Sequence, residues 1–142
     1  MSINKDDDDE LISTFVKKVV NLNKSIRWAG MANQLGIIIK ETYREGLRPL
    51  LTREENLEYA ANTIARHKER IKYEPKIGKL VYAAGRYQKL NRATIPINED
   101  FFLLIALDVE LKNFDEMIME RLIPLIKKEQ NGFREKNDGA TT

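Results

Sequence analysis

Eight patterned segments follow one another along this chain with hardly a residue between them, and their order limits the fold more than any other feature. By apolar spacing and turn residues they run helix, strand, strand, helix, strand, strand, strand, helix. That is an α+β order, and it suits a small sensor or scaffold domain better than an enzyme. The 142 residues fit a single domain. We read residues 1–130 as that domain and residues 131–142, polar and glycine-containing, as a disordered tail.

The first helix is expected from about Asp7 to Asn21, with Leu11, Phe15, Val19 and Leu22 at helical spacing beside Ile12, Val16 and Val20. The acids from Asp6 to Glu10 sit where a helix N-terminus favours negative charge. A hairpin follows, Ser25–Ala32 and Gly36–Thr42, turning through Asn33-Gln34-Leu35-Gly36. Thr52-Arg53-Glu54-Glu55 is a capping box that opens the second helix. Its stripe reads Leu57, Ala60, Ala61, Ile64, Ala65, the stem of Lys68, and Ile71, and it should end before Pro75 and Gly78.

Three strands come next. Lys79–Tyr87 carries a small run at Ala83-Ala84-Gly85. Arg92–Ile97 alternates and has Pro96 near its end, and Phe101–Val109 is apolar on both faces. A strand of the last kind belongs at the centre of a sheet covered above and below. Asn113-Phe114-Asp115-Glu116 is a second capping box, and Pro124 should kink the helix it opens or end it early in a 3₁₀ turn.

Composition removes several chemistries. With no cysteine and a single histidine, His67, disulfides, thiol catalysis and cysteine or multi-histidine metal sites are excluded. His67 has no carboxylate in helical register and reads as a surface or interface residue, not an acid–base catalyst. The pairs Glu54/Glu55, Glu99/Asp100 and Asp115/Glu116 fall at helix starts or turns, where capping explains them. There is no glycine-rich phosphate loop, and no cofactor or metal is expected. No apolar run approaches the ~20 residues of a membrane helix, and the acidic N-terminus is unlike a secretory signal, so a cytoplasmic protein is expected.

Charge is unevenly spread. Nine basic residues against two acids give 66–92 a net +7, while 98–120 carries a net −6. Arg86, Lys89 and Arg92 form a candidate patch for an anion or a partner, and with Tyr87 they could meet a nucleic acid. No nucleic-acid motif accompanies them, so ordinary surface charge is favoured.

The order of elements resembles the roadblock/LC7 family, and more loosely the longin, profilin-like and GAF-type domains. The runs IRWAGMANQLG, EGLRPLLTREE and IGKLVYAAGRYQKLNRATIPI also resemble an uncharacterised protein family of ammonia-oxidising archaea. The resemblance covers about 11–128 and is one of pattern. The roadblock likeness implies a five-stranded antiparallel sheet of order 2-1-5-4-3, with the second helix on one face and the other two on the opposite face. It implies a homodimer joined through the third strand and second helix into a continuous sheet, here Lys79–Tyr87 and Thr52–Lys72. Candidate interface residues are then Ala60, Ala61, Ile64, Ala65, Val81, Ala83, Gly85 and Tyr87, unless the helix alanines merely seat that helix on its own sheet. The implied function is a non-enzymatic scaffold or regulator with a protein partner, such as a small GTPase. A GAF- or PAS-type ligand sensor and a nucleic-acid binder using 66–92 are the alternatives.

Overall fold

The strand that is apolar on both faces, Phe101–Leu107 (β5), lies at the centre of the sheet and is buried at every position. The structure is a computed structural model and describes residues 5–133, with side chains from Asp9 onward. The acids before Asp9 and the proposed tail from 134 on lie outside the described residues. Around β5 the chain builds an antiparallel sheet from Ile26–Asn33 (β1), Ile38–Tyr43 (β2), Ala83–Arg86 (β3) and Asn91–Pro96 (β4). The order is β2-β1-β5-β4-β3, as expected, so β2 and β3 are the edges.

Each face of the sheet has its own cover. α1 (Lys5–Leu22) and the C-terminal helix (114–129) bury Phe15, Val16, Val19, Ile118 and Leu122 against Met31, Ile95, Leu103, Ile105 and Leu107. Of the two apolar series in α1, the one holding Ile12, Val16 and Val20 is fully buried, and Leu11 is left half exposed. α2 (Arg53–Arg70) covers the other face, over Trp28, Ala32, Leu104 and Ala106. Each large apolar side chain so buried contributes roughly 1.5–3 kcal/mol.

The Thr52 box forms as expected. Thr52 Oγ1 accepts the Glu55 N–H at 3.1 Å and Glu55 Oε1 accepts the Thr52 N–H at 2.9 Å. At Asn113 only half of the box is present among the described residues, with Oδ1 accepting the Glu116 N–H at 3.3 Å.

Several expectations are corrected. The buried face of α2 is Asn56, Ala60, Thr63, Ile64 and His67, whereas Ala61, Ala65, Lys68 and Ile71 are exposed. The helix is rotated because the sheet beneath it offers polar partners as well as apolar ones. Helical structure also continues past Pro75, through a 3₁₀ turn and Glu74–Ile77, and stops at Gly78 with φ +91°.

β3 is four residues long, less than half the expected length. The register that pairs Ala83 with Thr94 would set Val81 opposite Pro96. The Ile97 N–H bonds to Phe101 on the β5 side, so the nitrogen of Pro96 faces β3 and has nothing to donate. Lys79–Tyr82 therefore leaves the ladder. The Tyr82 hydroxyl instead bonds to Asp115 at the start of the C-terminal helix.

Pro124 does not end its helix, which runs on to Glu129. A π turn, Ile118–Leu122, precedes it and sets the proline in the first turn of a fresh α segment, Ile123–Glu129, where its missing N–H is harmless. Order also persists into the stretch expected to be tail. Phe133 is buried, its ring 4.9 Å from that of Phe15, and its carbonyl accepts from Asn98.

Candidate interaction surface

Two elements meet at the open edge of the sheet, α2 above and β3 beside it, and the candidate residues divide between them. Ala60 and Ile64 point into the chain's own core, each 1% exposed. Ala61 and Ala65 are exposed on α2. Ala61 still serves the fold through its backbone, because a Cβ built on Gly36 would stand 2.6 Å from the Ala61 Cα. The first hairpin turn thus packs directly on the helix, the close approach that small residues allow. On the other side, Val81 and Tyr87 are exposed and Ala83 and Gly85 half-buried. Tyr73 and Ile77 add further exposed apolar surface where α2 hands over to β3.

The proposed basic patch does not assemble. Arg86 and Arg92 lie on opposite faces of the sheet. Arg86 is exposed and stacks over Phe114 at 4.7 Å, on the side of the C-terminal helix. Lys89 is exposed in the β3–β4 turn. Arg92 is 5% exposed, beneath α2. Its guanidinium lies 3.9 Å from the ring centre of Tyr59 and 5.3 Å from that of Trp28, and Nη2 donates to Asn56 Oδ1 at 2.9 Å. Buried Nε has no partner, and no carboxylate pairs with Arg92 among the described residues.

Burial pulls the Arg92 pKa below its ordinary value, against the tyrosines around it. A guanidinium nonetheless stays charged at neutral pH. Burying a cation without a counter-charge costs several kcal/mol. Two cation–π contacts at roughly 0.5–2 kcal/mol each offset only part of it.

The surroundings hold the arginine in place. Tyr43 and Tyr59 flank the guanidinium, and the Tyr59 ring lies directly against it. Burial raises the pKa of both tyrosines, so they meet Arg92 as neutral rings. Trp28 Nε1 donates to Glu41 Oε1 at 2.8 Å, and Glu41 in turn meets Arg53 at 3.3 Å. Sequence reasoning missed Asn56 and Tyr59 altogether. For Asn56 the signal is present, since Asn56, Ala60, Thr63, Ile64 and His67 recur at helical spacing just as the stripe from Leu57 to Ile71 does.

Beside Arg92 a groove of about 420 Å³ runs between α2 and β3. A second, of about 540 Å³, shares Arg70 with it and is lined by Tyr73, Ile77, Leu80 and Val81. His67 is buried at the sheet, not on the surface. Among the described residues no cluster of three His, Asp or Glu side chains is placed to hold a metal, and no helix is long and apolar enough to cross a membrane.

Solved structures share this architecture. MglB in a tetrameric arrangement superimposes with a TM-score of 0.72 at 7% identity, over 93% of each chain. The gliding protein MglB of Thermus thermophilus gives 0.67 at 7% identity, over 93% of this chain and 90% of that one. A roadblock/LC7 domain from Streptomyces avermitilis gives 0.61 at 11% identity, over 87% and 94%. The chain has the roadblock/LC7 fold. No protein-family model and no curated protein matches it, and at these identities the likeness extends to the fold alone.

Proposed function

We propose that this chain is a non-enzymatic, roadblock-type scaffold that works as a homodimer in the cytoplasm and presents a composite surface to a protein partner. A small GTPase is the class of partner that the roadblock resemblance implies, in a signalling role. The resemblance to sequences of ammonia-oxidising archaea suggests an archaeal setting.

The observation that carries this reading is the open β3 edge, flanked by exposed Val81, Tyr87, Tyr73 and Ile77 and by Ala61 and Ala65 on α2. An unpaired strand is a ready template for a second copy. The small side chains beside it let backbones approach. Since Ala60 and Ile64 are consumed within the protomer, the proposed interface narrows to Ala61, Ala65, Val81, Ala83, Gly85 and Tyr87. The tetrameric arrangement of the MglB structure is in keeping with assembly through this fold. Nucleic-acid binding is not favoured, because Arg86 and Arg92 occupy opposite faces.

Light scattering over a concentration series tests the proposal. The wild type should be a dimer, and Ala83→Arg a monomer with unchanged far-ultraviolet circular dichroism. A wild type that stays monomeric at every concentration overturns it. For the partner, a purified GTPase offered in both nucleotide states should co-elute with the wild type and not with Ala83→Arg.

A further inference from the structure

We propose that the groove between α2 and β3 binds a small organic phosphate, with Arg92 at its floor and Arg66 and Arg70 on its wall. The residues lining this groove include three arginines and no acid. Arg92 is 95% buried, yet among the described residues it lacks a carboxylate partner and its Nε is unbonded, so it is a cation that those side chains do not neutralise. Arg66 and Arg70 are exposed. Arg66 is oriented by donating to Thr63 Oγ1 at 3.1 Å. Planar forks of this kind suit the oxygens of phosphate.

The groove's volume of about 420 Å³ falls in the range of small-molecule sites. Tyr87, half exposed beside it, offers a ring face on which a flat organic group can stack. Three cations favour a multiply charged phosphate over a single carboxylate. Because α2 and β3 also carry the proposed dimer contacts, occupancy would draw two positively charged edges together.

Isothermal titration in a chloride buffer tests this, with pyrophosphate as the probe, citrate as a carboxylate-only probe and ADP as a ring-bearing phosphate. Pyrophosphate is expected to bind at one site per chain, ADP at least as tightly, and citrate more weakly. Arg66→Ala/Arg70→Ala, altered only at exposed positions, should weaken pyrophosphate binding by about tenfold or more, as losing charge-assisted hydrogen bonds does. Absence of saturable binding overturns the site, as does binding that the double variant leaves unchanged. Citrate binding as tightly as pyrophosphate overturns the phosphate assignment. Solution mass, measured on the same samples, separates this proposal from the dimer: a monomer that binds pyrophosphate keeps the site and loses the scaffold, and a dimer that binds none of the probes does the reverse.

Discussion

The imidazole of His67 stands edge-on to the ring of Phe102, with centroids 4.8 Å apart and planes at 70°. Its Nδ1 is buried without a partner, and desolvation lowers its pKa despite the opposing pull of Glu74, with Arg70 adding to the effect. The unfolded chain therefore takes up this proton first. Stability should be full above about pH 6.5 and should fall as pH drops from there toward the folded-state value. Urea midpoints at pH 7.5 and 5.5 would show the decline. His67→Gln should remove most of it, and an equal decline in that variant would assign the effect to other groups.

Gly30 lies under the ring of Trp28. A Cβ at this position would stand 2.6 Å from Trp28 Cζ2. Gly30→Ala must lift the ring, disturbing its contact with Arg92, and should cost roughly 1–3 kcal/mol. Since Trp28 is the sole tryptophan, emission reports the displacement directly. An unshifted spectrum with an unchanged denaturation midpoint would show that the ring is not held there.

Gly36 and Gly46 share φ +79°, but only Gly36 is crowded, by the Ala61 backbone. Alanine at either position meets the left-handed backbone penalty of roughly 1 kcal/mol. Gly36→Ala should lose clearly more than Gly46→Ala, because backbone cannot yield as a flexible side chain does. Thermal melts of the two variants make the comparison, and equal losses would mean the hairpin turn does not bear on α2.

Asp108 closes β1 to the β2 exit by accepting from Arg27 at 2.8 Å and from Arg44 at 3.0 Å. Burial alone would raise its pKa, yet the two arginines hold it below the ordinary carboxylate value. Its contribution is present above about pH 3.9 and is lost as pH falls through the lower folded-state value. Asp108→Asn should cost about 1 kcal/mol at pH 7, solvent screening keeping the figure modest, and the deficit should shrink in acid. A deficit that is constant down to pH 2.5 would point to packing instead of charge.

The central place of β5 was legible because it is apolar on both faces, while the order of the other strands came with the roadblock resemblance. The start of α2 was legible because Thr52 and Glu55 act locally. What could not be read depends on neighbours distant in sequence. Asn56, Thr63 and His67 look like a solvent face until Arg92 and Phe102 are placed beneath them. Arg92 looks like surface charge, although it shares strand parity with Thr94 and so faces α2. The length of β3 is set by Pro96 on the adjacent strand, and the passage through Pro124 depends on a π turn that local spacing does not announce. Phe133 counts as core only because Phe15, far away in the chain, receives it.

Pro96 has a further consequence for the molecule in a crowded solution. By stopping β3 at four residues it leaves little exposed ladder for a stray strand to copy. A wrongly aligned chain could gain only a few backbone hydrogen bonds there, each worth about 1 kcal/mol net. Those bonds alone hold two molecules weakly against the loss of their free tumbling, so the proposed pairing of a second copy draws on the side chains that flank β3 as well. Whatever stays at this edge must be chosen by side chains, and the longer open ladder is that of β2 on the far side of the sheet.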